Sequence, residues 1–174
     1  SFQSKAGATV IGARPFLIAW NVNLDTRSVH LAKAIAAELR ESGRLQKTKT
    51  GKPHRVPGRF KCVKAIGWFI EEYDCAQVSM NLTNYRVSPP HEVMEACRQI
   101  AAERGVAVSG SELIGMVPLE VLLMAGRYAL RQTAAGTARP SEAMLVDAAI
   151  DLLGLSDLRP FVPEERIIEY RMQQ

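Results

Sequence analysis

The chain has 174 residues, 47% of them hydrophobic and 23% charged, with a formal net charge of +4. That balance predicts one compact domain with a core of its own and excludes a disordered or fibrous chain. No apolar run approaches the ~20 residues a membrane helix needs and no signal-peptide pattern opens the chain, so a cytoplasmic protein without a membrane partner is expected. Cys62, Cys75 and Cys97 stand far apart with no metal-ligand spacing, which points to a reducing compartment and no bound metal. Because Ser1 and not Met comes first, a processed chain or a piece of a longer one is expected.

Ser1 to Ala13 is small and polar. Its Gly7-to-Gly12 spacing is that of a phosphate loop, but Ala13-Arg14 follows where Lys-Ser/Thr is required, so the motif is rejected. Phe16 to Trp20 is a continuous apolar run, after which Asn21 and Asn23 alternate with Val22 and Leu24. This is the pattern of a central strand that is buried first and then opens onto a site. The two asparagines point the same way. Amides are poor strand formers and costly to bury unpaired, so they either line a cleft or tie off a strand end. Asp25 or Thr26 is the expected cap of an amphipathic helix carrying Leu31, Ile35 and Leu39, stopped at Gly43. His30, beside that stripe, reads as an edge or surface histidine.

From Arg44 to Lys64 the chain is basic without an acid: Arg44, Lys47, Lys49, Lys52, Arg55, Arg59, Lys61 and Lys64, with His54 among them. A solvated hairpin arm is expected, able to meet phosphates or a multi-carboxylate tail. Phe60 is its one aromatic, which argues against base stacking and a nucleic-acid partner. Alternation then returns from Phe60 to Ile70, Glu71 to Asp74 makes a turn, and Ala76, Val78, Met80 and Leu82 mark a half-buried strand. Its other face carries Gln77, Ser79, Asn81 and Thr83, an uncharged hydrogen-bonding row that favours a ligand groove over plain solvent exposure. Ser88 is read as the cap of a helix from Pro89-Pro90 to about Arg104, and Val106 as the start of a fourth strand. The order βαββαβ is that of an α+β (α/β) ferredoxin-like split βαβ sheet, with helices over one face and the other face asking for a ligand or partner.

Gly110 to Pro118 is read as the connection to further helices. Leu119, Leu122 and Leu123 form an apolar stripe in which Gly126 permits close approach of a neighbour. Gly136 to Pro140 makes a linker, Ser141 caps a helix to Leu153, and Gly154 stops it. Met124 and Met144 read as core filler, and Pro163 to Tyr170 as a docked tail. A sheet core over residues 1–116 and a helical extension over 117–174 are expected.

Several blocks then fall in a familiar order. They are Gly7-Ala8-Thr9 with Gly12 to Leu24; Ala65-Ile66-Gly67-Trp68; Ala76 to Leu82; Gly110 to Leu113 with Val117-Pro118-Leu119; and Pro163 to Tyr170. Together they resemble the C-terminal subdomain of glutamate formiminotransferases, over nearly the whole chain. The resemblance implies two similar α/β subdomains with a folate groove between them. It also implies transfer of the formimino group of N-formimidoyl-L-glutamate to tetrahydrofolate in histidine degradation, with folate as substrate and no metal. The family's folate-contacting loop would fall on Ser1, Phe2, Gln3, Ser4, Lys5, Ala6 and Gly7, although Lys5-Ala6 stands where animal enzymes have Ser-Trp. The family's catalytic histidine lies in an N-terminal subdomain, which this sequence does not contain, and is not inherited by His30, His54 or His91. The chain alone is thus expected to be inactive and to need that subdomain as its partner, with self-association through the sheet face also possible.

Moving an amidine carbon between amines needs a proton shuttle near neutrality and two substrates in register. Asn21, Asn23, Gln77 and Asn81 are the candidate folate contacts, with the basic arm for a polyglutamylated tail. The alternative is a non-catalytic ligand- or protein-binding module that keeps the fold.

Overall fold

The structure, a computed structural model, describes residue 9 and residues 11–47, 51–132 and 139–173. Its main sheet has four strands: β1 (Ile18–Leu24), β4 (Val63–Ile70), β5 (Cys75–Leu82) and β6 (Val108–Ile114). They lie in the order β4-β5-β1-β6, antiparallel throughout. With α1 (Val29–Leu39) and α2 (Pro90–Ala102) as its connections, this is the ferredoxin-like arrangement that the pattern predicts. A two-stranded ribbon, β2 (Arg44–Lys47) with β3 (Pro53–Val56), pairs only with itself and forms the expected basic hairpin.

Strand alternation divides the sheet into two chemically different faces. Ile18, Trp20, Val22 and Leu24 meet Leu82, Met80, Val78 and Ala76 in register, and all are buried beneath α1 and α2. Trp20 is fully enclosed, and its indole N–H donates to the Ser111 hydroxyl at 2.9 Å, so the one polar atom of a large core side chain is satisfied. Burying a side chain of this size contributes about 3 kcal/mol or more, which makes β1 the spine of the core.

Several local expectations need correction. Ser28, not Asp25 or Thr26, caps α1, its hydroxyl accepting from the Leu31 N–H. Ser88 does not cap α2: Pro89 holds that position without a side-chain bond, while the Ser88 hydroxyl donates to the Lys61 carbonyl at 2.5 Å. The fourth strand starts at Val108 and runs to Ile114, through the residues read as a connection. Met144 is exposed, so it fills no core.

Beyond the sheet, α3 (Leu119–Gln132) and α4 (Glu142–Leu153) pack as a pair, with Ser141 capping α4 and Gly154 ending it as predicted. Of the proposed linker, residues 136–138 lie outside the described residues. The tail forms α5 (Pro163–Arg166) and α6 (Ile168–Arg171), and it is docked: Ile167 is fully buried and bridges to Val117.

Gly126 lies where α3 meets α4, and a Cβ there would sit 1.9 Å from the Leu145 carbonyl oxygen. Gly126→Ala should therefore lower stability by about 1–3 kcal/mol through forced helix separation, read from the urea midpoint. His91 on α2 is buried, stacks on Tyr128 of α3 with centroids 4.6 Å apart, and leaves Nδ1 unpartnered. Burial holds its pKa below the ordinary value of 6.5, against the raising effect of Glu92 and Glu95. With the folded pKa depressed, its contribution is intact above the unfolded pKa and is lost as the pH falls through the folded one. Stability should decline on acidification below about pH 6.5, and His91→Phe should flatten that slope in urea titrations at a series of pH values.

Candidate functional site

On the face turned away from α1 and α2, the register sets the side chains in rows across the strands. One row is Trp68, Gln77, Asn23 and Gly110; the next is Ile66, Ser79, Asn21 and Glu112. A third row places Lys64, Asn81, Ala19 and Ile114 side by side. The alternation that buries Trp20 and Val78 therefore forces Asn21, Asn23 and Gln77 together on the opposite surface.

These polar groups form a connected cluster. Gln77 Nε2 donates to Asn23 Oδ1 at 2.7 Å and to Glu112 Oε1 at 3.3 Å. Asn21 Nδ2 donates to the same Glu112 oxygen at 3.2 Å, and the Tyr73 hydroxyl donates to Glu112 Oε2 at 3.3 Å. Burial first, and then the Glu112 carboxylate, push the Tyr73 phenol above its usual range. The cluster is incomplete: Asn23 Nδ2 and Gln77 Oε1 are buried and have no partner. Asn23 is 1% exposed and Gln77 0%, so these orphaned atoms carry the full desolvation cost of a missing bond. An unfilled donor beside an unfilled acceptor complements an amide-like ligand edge.

This end of the face, which the pattern leaves to a ligand or partner, is covered by the chain's own segment after α4. A register shift at Asn23/Leu24 sits opposite Gly110, whose φ of +152° falls where side chains rarely go. A Cβ at Gly110 would lie 2.7 Å from the Asp157 Cβ, so glycine lets the segment after α4 close over the strand edge. From that segment Arg159 pairs with Glu72 and lies over the Tyr73 ring, 5.8 Å from its centroid. A cleft of about 270 Å³ opens beside the cluster, lined by Asn23, Asp25, Arg27, Tyr73, Cys75 and Leu158 among others. Burial pushes the Cys75 thiol up, so it stays protonated and unreactive there.

The structure thus brings together three of the predicted contacts, Asn21, Asn23 and Gln77. Asn81 stands apart, exposed, in the third row and joins none of these bonds. Thr83, half-buried just past the end of β5, donates its hydroxyl to the Cys62 carbonyl and takes no part in the cluster. Ser1 to Gly7, the expected folate-contacting loop, lie outside the described residues. Glu112 and Tyr73 escaped the sequence reading, although Ser111 and Leu113 alternating with Glu112 and Ile114 carry the strand signal. None of the three histidines is on this face: His30 is on α1, His54 on β3 and His91 on α2. Among the described residues no group of His, Cys, Asp or Glu is placed to hold a metal ion, and no helix is long and apolar enough to cross a membrane.

The basic hairpin is tied to its own domain at the base. Glu38 of α1 receives Arg44 at 2.6 Å and Arg104 at 2.5 Å, Arg55 donates to the Ser42 carbonyl, and Arg59 donates to Gln99. The base stands near the start of β4, where the Glu41 N–H donates to the Val63 carbonyl. The amide row lies five residues further along β4, about 17 Å away at ~3.3 Å per residue.

The formiminotransferase domain family matches residues 19–173. The chain is 45% identical over 99% of its length to formimidoyltransferase-cyclodeaminase of Dictyostelium discoideum, covering 30% of that protein. It is 44% identical over 98% of its length to the formimidoyltransferase-cyclodeaminase of Mus musculus, covering 29% of it. Glutamate formimidoyltransferase of Thermoplasma acidophilum is 38% identical over 75% of this chain and 39% of its own length. The chain therefore spans less than a third of the length of the cyclodeaminase relatives it matches.

If the cluster is kept for binding and not for folding, removing it whole should cost the fold little. Gln77→Val alone strips Asn23 and Glu112 of a donor and should destabilise by about 1–3 kcal/mol. Adding Asn23→Val removes both orphaned atoms and should recover most of that loss, as urea midpoints of the single and double variants would report.

Proposed function

The chain belongs to the formiminotransferase domain family, and we propose that it is the folate-binding half of a glutamate formimidoyltransferase. In this reading it acts in the cytoplasm, in histidine degradation, and moves the formimino group of N-formimidoyl-L-glutamate onto tetrahydrofolate. The observation that carries the reading is the orphaned pair on the covered end of the sheet, Asn23 Nδ2 and Gln77 Oε1. A reduced pterin offers along one edge the carbonyl oxygen and ring N–H that such a pair lacks. Glu112, with Asn21 and Tyr73 already bonded to it, fixes the amide of Gln77 from the other side.

The chemistry asks for two more things. A ring amine nitrogen of tetrahydrofolate bonds to the amidine carbon, the carbon–nitrogen bond to glutamate breaks, and a proton passes from the attacking nitrogen to the leaving one. A group that titrates near neutrality serves that transfer best. The three histidines of this chain sit on α1, β3 and α2, away from the amide face, so the shuttle is assigned to an N-terminal subdomain facing this one. Ile66, Trp68 and Ile114 are 58%, 43% and 51% exposed on the same face, an apolar surface suited to a ligand and a second wall. In this arrangement the chain supplies position and register, worth several kcal/mol of barrier, and is inactive without its partner subdomain. Ser1 to Gly7 would contact the folate, and the tail would run along β1 from the amide row toward Lys64, Asn81 and the basic hairpin.

Calorimetric titration with tetrahydrofolate bearing several glutamates tests this. Asn23→Ala and Gln77→Ala should each weaken binding by about tenfold. Added salt should weaken the polyglutamate form more than the monoglutamate. Unchanged affinity in both variants would contradict the proposal.

A further inference from the structure

We infer that Trp68 is the stacking platform for the planar ring of the ligand, and so the residue that discriminates the ring-bearing substrate from the amino-acid one. The inference rests on the folate reading and deepens it by placing the ring.

The chain has two tryptophans, and the structure gives them opposite surroundings. Trp20 is fully buried on the helix face and spends its N–H on Ser111. Trp68 lies on the other face, 43% exposed, and makes no hydrogen bond to another described residue. It stands on the edge strand β4 directly opposite Gln77, whose own neighbour on β1 is Asn23. The exposed indole is therefore in the same row as the orphaned acceptor and donor. Across that row the chemistry changes from the apolar indole to the two amides and ends at Gly110, while the next row runs from Ile66 on β4 through Ser79 and Asn21 to Glu112 on β6.

From Trp68 to Asn23 is two strand spacings, about 10 Å, which accommodates a two-ring heterocycle. Such a ring gains from the indole face what a solvent shell cannot supply, since stacking on an aromatic side chain favours any flat π system. Its edge then meets Gln77 Oε1 and Asn23 Nδ2, the two atoms with no protein partner. A flexible amino-acid substrate presents no flat face and gains little from the indole. Ile66, 58% exposed, extends the platform along the same strand and offers no competing polar group.

The test uses the naturally encoded protein and steady-state kinetics with each substrate varied in turn, alongside thermal melts. Trp68→Leu should raise the KM for tetrahydrofolate roughly tenfold while leaving the KM for N-formimidoyl-L-glutamate and the melting temperature nearly unchanged. Trp68→Phe, which keeps an aromatic face, should restore most of the loss. An unchanged folate KM in Trp68→Leu overturns the inference. Both KM values rising together with a lower melting temperature also overturns it, since the indole would then be packing against another part of the protein. A parent protein that neither binds nor turns over folate defeats the folate reading itself, and the stacking role with it.

Discussion

Gln77 holds the site together with a single side-chain nitrogen. Its amide donates to Asn23 on one neighbouring strand and to Glu112 two strands away, so three strands of the sheet share one polar cluster. That arrangement needs the strand order β5-β1-β6 and the register that sets Gln77 beside Asn23; a slip of one residue would turn every member to the helix face. The hydrophobic demand of Trp20, Val22, Val78 and Met80 prevents the slip. Core packing on one face thus sets the positions of the amides on the other.

The cluster is also where the fold departs from the economy seen elsewhere in it. The Trp20 indole, the Ser111 hydroxyl and the Tyr85 hydroxyl all have partners, yet Asn23 Nδ2 and Gln77 Oε1 do not. A buried unpartnered amide atom is costly, and functional sites are where such costs persist. Gly110 and the segment carrying Arg159 enclose this end of the face and leave the other end, with Ile66, Asn81 and Lys64, open. The result is a surface with a covered hydrogen-bonding end and an open end where Ile66 and Ile114 stand among Asn81 and Lys64, suited to a long ligand lying along the strands.

Much of this was legible from residue order. The switch from Phe16–Trp20 to alternating Asn21 and Asn23 announces β1 and its polar face, and Ser141, Gly154 and Gly126 mark α4 and its contact with α3 by local rules alone. Other features escaped because tertiary structure overrides the local signal. Ser88 has the look of a helix cap, yet its hydroxyl reaches the Lys61 carbonyl across the fold. Gly110 to Ile114 reads as part of a connection because a glycine and a serine are poor strand formers, but pairing with β1 makes it a strand. Glu112 was hidden for that reason. Tyr73 was hidden because a turn residue shows its role only once the segment after α4 folds back over it. No local pattern signals that Asn81, in the same alternation as Gln77, would end in solvent.

The most direct measurement is a crystal structure of the naturally encoded protein with tetrahydrofolate bound. The account predicts the pterin edge within hydrogen-bond distance of Asn23 Nδ2 and Gln77 Oε1, with the tail running along β1 toward Lys64. A pterin held elsewhere, with that pair bonded to water or to another part of the protein, would contradict it.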